Sequence, residues 1–369
     1  MGTNHTLKLI AVGDIMLGDH PVCLGHGVRS QMEIAGIDHP FKFVSPILRK
    51  SDVVFGNLEC VLSDAEYDKG TIESREMRGR PEFAEALVKA GFTVVSVANN
   101  HVMQHGRIAF EETIDVLSSI GIFPVGKMMD GRSNVFRCRK GDIKLAIISY
   151  SLRPEKHCPK ERAYALGDQD LICRHIHELA NDNFNVIVSL HWGEEYMNYP
   201  SYEQTVQGHM FINEGTGLVL GHHPHVLQGV EKYNEGYIVY SLGNFVFDKW
   251  QPNPRQTIIL EAEITKQGIK SLTCRPIHIN NHYQPKPADK GLGEKIMKNL
   301  GDYTNLIYQI QHGHARGDSS TYTKAANRAY LKFRISSYMY FFSHIHQYST
   351  ETIKQSLVRF FKRRVERND

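Results

Sequence analysis

Gly217-Leu218-Val219-Leu220-Gly221-His222-His223-Pro224-His225 is the stretch on which the reading of this chain turns. A short apolar run of strand length stops abruptly in three imidazoles, at positions where packing alone would place Val or Ile. Alternate residues of an extended segment project to the same side and proline stiffens the spacing, so His223 and His225 are expected to face one point. The layout recurs along the chain. Leu7–Val12 ends in Gly13-Asp14, Val53–Phe55 in Gly56-Asn57-Leu58-Glu59, and Thr93–Val97 in Ala98-Asn99-Asn100-His101. Val186–Leu190 ends in His191-Trp192-Gly193-Glu194-Glu195. A lone Asp after a strand is usually a turn or capping residue. Five strands ending in metal-capable side chains are a different matter, because α/β sheets bind ligands outside the carboxyl ends of their strands.

Around these ends the first 280 residues alternate β-rich runs with helical patterns, the signature of a layered α/β fold. Further runs are Leu145–Ile148, Gly236–Tyr240 and Thr257–Ile264, and the clearest helical candidates are Arg80–Ala90 and Ile108–Ile120, closed by Gly91 and Gly121. Residues 60–80, 151–168 and 192–210 read as long irregular stretches. After His282 the character changes, so the expected division is a catalytic domain at 1–282 and a basic, aromatic-rich helical region at 283–369. Within the latter, Gly293–Gln311 and Tyr322–Arg364 read as helices.

The 369 residues carry 43 Lys and Arg against 40 Asp and Glu, and 41% are hydrophobic, an ordinary globular composition that excludes collagen-like, coiled-coil and largely disordered classes. Charge is uneven: residues 281–369 hold 15 Lys and Arg against 7 Asp and Glu. Cysteines at 23, 60, 138, 158, 173 and 274 show no CxxC spacing and read as reduced thiols of a cytoplasmic protein. The longest apolar stretch, Ile335–Ile345, is about half of the ~20 residues that a membrane helix needs. Met1-Gly2-Thr3-Asn4-His5-Thr6 fits the loose myristoylation pattern, a match short enough for chance to supply. No GxxxxGK[ST] is present, so nothing points to ATP-driven ligation.

Mixed carboxylate, amide and imidazole donors suit Mn, Fe or Zn better than Ca or a thiolate site. Six or more candidate ligands exceed what one tetrahedral ion uses, and two divalent metal ions ~3.5–4 Å apart would account for them. Such a pair activates water and stabilises charge at a phosphoryl or acyl centre.

The order Gly-Asp, Asn-Leu-Glu, Asn-Asn-His, His-Trp-Gly-Glu-Glu, Gly-His-His-Pro-His and Ser241-Leu242-Gly243-Asn244-Phe245 resembles the CapA-type capsule-synthesis family over about residues 7–250. That family is associated with poly-γ-glutamate and other surface polymers and has a metallophosphoesterase-like fold. The resemblance implies a β-sandwich flanked by helices, followed here by the helical appendage. It makes Asp14 the first-metal carboxylate, puts Glu59 near the bridging role, sets Asn100, His191 and His223 on the second metal, and returns His225 to the first. It also implies that His101 stands off the metals, as proton donor to the leaving group or as a hydrogen bond to the reacting oxygen. Asn57, Asn99, Glu194, Glu195, His222 and Asn244 are candidates for supporting or substrate contacts, with Glu194 and Glu195 equally readable as loop acids. Departures are visible. The usual Asp-x-His opening is Asp14-Ile15-Met16, the second motif carries Asn57-Leu58-Glu59 in place of Asp, and the block after His101 has Gln104 where an acid is often found.

The expected activity is therefore a dimetal-dependent hydrolase cleaving a phosphoester or amide bond in capsule or surface-polymer biosynthesis. The competing expectation is a non-catalytic polymer-binding or assembly factor that retains a metal site. Expected partners are a surface polymer or phosphorylated substrate and a capsule-synthesis complex, with no nucleic acid. Lys354, Arg359, Lys362, Arg363, Arg364 and Arg367 suggest peripheral contact with the inner face of a membrane, whereas the aromatic residues of 322–350 are expected to pack back on the body. His175-Ile176-His177 lies in a helical pattern whose i and i+2 positions diverge, so the pair should not share an ion. His312-Gly313-His314 and His344-Ile345-His346 read as solvated or half-buried tail residues. Arg75, Arg78 and Arg80 read as a solvated charge cluster, with anion recognition as the alternative.

Overall fold

Lys8 is the one exposed residue in the nine-residue strand Leu7–Ile15, a burial pattern expected of a strand covered on both faces. The computed structural model describes residues 6–153, 160, 162–311 and 319–365, the last five in backbone only. Leu7–Ile15 pairs in parallel with Val53–Leu58, which leads to Val94–Ser96 and Phe123–Val125. On its other side it pairs antiparallel with Gln256–Thr265, which carries Gly268–Ile279 and then Pro285–Pro287. Asn244–Val246 joins its far end in parallel. A second sheet has the order Val230–Tyr233, Gly236–Val239, Thr216–His222, Asn185–His191, Ile143–Ser151, Phe136–Lys140. Its four middle strands run parallel.

The two-residue period of these strands sorts the core into layers. Leu7, Leu9, Phe55 and Val94 of the first sheet meet Leu145, Ile147, Ile187 and Leu218 of the second in one buried cluster. Ile10, Val12, Val54 and Val95 face the other way, onto Leu87, Phe110 and Leu117 of Ala84–Ala90 and Gly106–Ser119. Ile148, Val188 and Val219 face Ile172, Ile176 and Phe211 of Gln169–Asn181 and Tyr202–Asn213. The result is the expected layered α/β sandwich with helices on both outer faces.

Two local expectations change. Residues 192–210 are not irregular throughout, since Tyr202–Asn213 is a helix opened by a reciprocal cap in which Ser201 accepts from Gln204 N and the Gln204 side chain accepts from Ser201 N. The single helix expected over 322–364 is broken into Ser319–Ser343, a short turn at Ile345–Gln347, and Thr350–Val365. Ser349 restarts it by accepting from Thr352 N at 3.1 Å.

The sheet and its core run past the compositional change at 282. Pro285–Pro287 is hydrogen-bonded into the first sheet, and Ile296 and Leu300 of Lys290–Gln311 enter the cluster between the sheets. Ser319–Ser343 packs back through aromatics: Phe333 stacks on Tyr196 with ring centroids 4.2 Å apart, and Ser336 Oγ accepts from Trp250 Nε1 at 2.8 Å. Arg78 is not solvated; it is buried and donates to the carbonyls of Ser63 and Ala65. His175 is hydrogen-bonded to Tyr150 inside the core while His177 faces Glu214, so that pair diverges as its helix requires. Among the described residues, Cys23, Cys60, Cys138, Cys173 and Cys274 are free thiols, and no helix is long and apolar enough to cross a membrane. The myristoylation-like start up to His5, Cys158, His312-Gly313-His314 and Arg367 lie outside the described residues, as do the side chains of Lys362, Arg363 and Arg364.

Candidate metal centre

Asp14, at the end of the central strand, pairs in register with Asn57 on one side and Asn244 on the other. This close assembly depends on Gly13, where an added Cβ would stand 1.9 Å from the Gly243 carbonyl oxygen. Asn57 Nδ2 donates to Asp14 Oδ1 at 2.9 Å and to Glu59 Oε1 at 3.2 Å, holding the two carboxyls near each other. Asn99 Nδ2 in turn donates to Asn57 Oδ1 and the Leu58 carbonyl, while its own Oδ1 accepts from His101 N at 3.1 Å.

The second sheet supplies the imidazoles. His191 and His222 are register partners at the ends of adjacent strands. His191 Nε2 lies 2.8 Å from Asn100 Oδ1 and its Nδ1 3.4 Å from Glu59 Oε1. His222 Nδ1 lies 3.2 Å from Asp14 Oδ1. Trp192 anchors the loop that follows His191, with Nε1 donating to the Tyr240 carbonyl at 3.0 Å.

His223 and His225 do converge, but not through an extended backbone. Their φ angles are +95° and +59°, a left-handed region that costs a non-glycine residue about 1–3 kcal/mol and clusters at functional sites. His225 Nδ1 is 2.9 Å from Asn244 Oδ1, while Asn244 Nδ2 donates to the carbonyls of His225 and Pro254. The Asn244 oxygen therefore accepts, His225 Nδ1 carries the hydrogen, and Nε2, 3.7 Å from Glu59 Oε2, is left as the ligating nitrogen.

Two groups of ligand atoms have the spacing to hold a cation: Asp14, Glu59 and His225, and Glu195, His223 and His225, each with its atoms within 4.8 Å of one another. Glu195 thus joins the centre, whereas Glu194 turns away to pair with Arg153 at 2.7 Å. Burial opposes ionisation of Asp14, but hydrogen bonds and charge from His222 and His225 outweigh it and hold the carboxyl far below the usual range. Burial, then repulsion from Asp14 and Glu195, pushes Glu59 well above its ordinary range. Burial also pulls His191 and His223 well below theirs, keeping both rings neutral with a lone pair to offer. Glu59 Oε2, His191 Nδ1, His222 Nε2 and both ring nitrogens of His223 are buried without a hydrogen bond. So many unpaired polar atoms in one place is costly, and divalent ions would pair the carboxylate oxygen and the one unprotonated nitrogen of a ring. The donor set fits such an ion.

Met16, in the place of the usual His, is fully buried and its sulfur accepts from Gly18 N at 3.1 Å. Lys249 is 3% exposed, and its ammonium reaches Tyr196 Oη at 3.3 Å and sits over the Phe333 and Phe247 rings. No local pattern announces it.

The family model described as "Bacterial capsule synthesis protein PGA_cap" matches residues 8–249. The chain is 30% identical over 301 residues to the capsule biosynthesis protein CapA of Bacillus anthracis, covering 78% of this chain and 71% of that one. It is 28% identical over 322 residues to the PGA biosynthesis protein CapA of Bacillus subtilis (strain 168), covering 84% and 82%. Among solved structures it is similar to TT1561 of Thermus thermophilus, with a TM-score of 0.39 and 12% identity over 73% of this chain and 98% of that one. A 5'-nucleotidase from Candida albicans SC5314 gives a TM-score of 0.42 and 10% identity over 82% and 58%.

Proposed function

The chain belongs to the bacterial capsule synthesis protein family PGA_cap, and from that premise we propose that it is a dimetal-dependent hydrolase of capsule or surface-polymer biosynthesis. The observation that carries the reading is two adjoining groups of ligand atoms that compete for the single ligating nitrogen of His225, beside further buried carboxylate and imidazole atoms without hydrogen bonds at Glu59, His191 and His223. When bound, divalent ions of the Mn, Fe or Zn class would supply Lewis acidity and an activated water. Asp14, Glu59 and His225 would hold one ion, and Asn100, His191 and His223 the other, with Glu195 adding to the His223–His225 side.

The chain's own residues divide the remaining work. Asn57 fixes the spacing of the two carboxyls, Asn244 sets the His225 tautomer, and His101 gives a proton to the leaving group. Beside the centre, where the Tyr196 and His225 rings lie 6.2 Å apart, a groove of about 690 Å³ runs between the body and Ser319–Ser343. It presents Arg328 and Lys332, which suit an anionic polymer or a phosphorylated substrate. Both a phosphoester and an amide bond are compatible with this chemistry. The test is metal analysis of the purified protein followed by a hydrolysis screen over phosphodiester, phosphomonoester and γ-glutamyl substrates. Turnover of one class that is lost on chelation is expected.

The buried Met16 sulfur favours a second reading, a polymer-binding or assembly factor that keeps its metals. Two bound metals with no hydrolysis of any of the three classes would establish that reading in place of the first.

A further inference from the structure

Four side chains form a continuous line from the last helix to the proposed proton donor. Arg359, on Thr350–Val365, grips Glu76 with both terminal guanidinium nitrogens, Nη1–Oε2 at 2.6 Å and Nη2–Oε1 at 2.9 Å. Gln104 Nε2 donates to the same Glu76 Oε1 at 3.2 Å, and Gln104 Oε1 lies 3.1 Å from His101 Nδ1. Glu76 is only 3% exposed, so the carboxylate in the middle of the link is kept from water, while Arg359, Gln104 and His101 are half-buried. The Glu76 main chain is tied to the same segment, its carbonyl 2.8 Å from His105 Nε2.

The line has a direction. A guanidinium only donates and does not lose its proton, so the carboxylate facing it only accepts. An accepting Glu76 takes the amide hydrogens of Gln104 and turns the Gln104 oxygen toward His101. An amide oxygen accepts only, so His101 Nδ1 must carry a hydrogen, and in the neutral ring Nε2 is then the nitrogen without one. Gln104 stands where an acid is often found after this His, and the acid is supplied one link further out, by Glu76.

We infer that Arg359 is a positioning residue, acting through Glu76 and Gln104 to fix the orientation and tautomer of His101. The C-terminal appendage is thereby part of the centre and not a separate module. The inference rests on the reading of His101 as proton donor, because a locked Nδ1–H makes Nε2 the atom that takes up and gives the proton. Partners of this outer kind are commonly worth a 10–100-fold change in activity.

The experiment uses the full-length protein loaded with zinc and labelled with ¹⁵N in its imidazoles. Long-range ¹H–¹⁵N correlation spectra are recorded at a pH where the ring is neutral, and His101 is identified by its loss in His101→Asn. In the wild type, Nδ1 is expected to carry the hydrogen and Nε2 none. In Arg359→Ala, that signature is expected to give way to a mixture in which Nε2–H is populated. Turnover of bis(p-nitrophenyl) phosphate should then fall about 10–100-fold in kcat, with KM and zinc content unchanged. Arg359→Lys, whose ammonium also only donates, should retain the Nδ1–H form. A wild-type His101 in the Nε2–H form would overturn the inference without need of any variant. A folded, zinc-loaded Arg359→Ala protein with the wild-type signature would overturn it as well. The expected signatures in a wild-type protein that hydrolyses nothing would count against the hydrolase and support the positioning role.

Discussion

His191 Nε2 stands 2.8 Å from the side-chain oxygen of Asn100, and this contact joins the carboxyl end of one sheet to the carboxyl end of the other. Neither residue is near the other in sequence. His191 closes one parallel strand and Asn100 follows another, and the two sheets are held face to face by the apolar cluster between them. The centre is therefore as rigid as the sandwich beneath it, which is the condition for holding metal ligands at fixed spacing.

His223 should be a ligand whose loss is read in metal stoichiometry. Both of its ring nitrogens are buried without a hydrogen bond, so no polar contact of the ring explains its placement. Wild-type protein is expected to bind about two equivalents of Mn, Fe or Zn, and His223→Ala fewer. The rise in melting temperature on adding metal should shrink with it, because stabilisation by a ligand follows RT ln(1 + [L]/Kd), about 2.7 kcal/mol at a hundredfold excess over Kd. Equal stoichiometry in the two proteins would remove His223 from the centre.

His101 should behave in the opposite way. Its main-chain N is held by Asn99 and its ring by Gln104, so His101→Asn is expected to keep the metals. Turnover should fall by ~10²–10⁴, the usual contribution of a positioned proton donor. Metal analysis beside a rate measurement decides it; loss of metal would make His101 a ligand.

Gly13→Ala should damage the fold at the site itself. The added methyl would stand 1.9 Å from the Gly243 oxygen and 2.8 Å from its carbon, both main-chain atoms that cannot swing aside. Overpacking of this kind costs at least about 1–3 kcal/mol. Gly301→Ala is the control. It lies within the helix Lys290–Gln311 with nothing near its missing Cβ, and it should stabilise by about 0.4–1 kcal/mol. Urea titration of both variants gives the comparison.

Asp248 should give the metal-free protein a falling stability at neutral pH. Burial, followed by the nearby charge of Asp19, raises its pKa to about 8. The folded state holds this proton more tightly than the unfolded one, so the contribution is complete below the ordinary carboxylate pKa and is lost as pH rises through about 8. Asp248→Asn should flatten this slope between about pH 4 and 8 while leaving Asp248's partner, the His20 amide, an oxygen to bond. Melting temperatures across that range test it, and a slope equal to the wild type would show that another group is responsible.

Much of this protein was determined within short stretches of sequence. Apolar runs such as Leu7–Val12 and Gly217–Leu220 specify strands because nearly all of their residues are buried, and the Asp and His that follow them stand at carboxyl ends for the same local reason. The Ser201–Gln204 cap was equally local and could have been read from Ser-x-x-Gln, which is why the helix at Tyr202–Asn213 is a correction that the sequence could have spared. The tertiary structure alone decided the rest. It bent the backbone at His223 and His225 into the left-handed region, separated Glu195 from Glu194, buried Lys249, and brought Arg359 to Glu76 across 283 positions of chain. Periodicity and capping act over a few residues, whereas these outcomes depend on which surfaces the sandwich presses together, a sum over the whole core that no single segment carries.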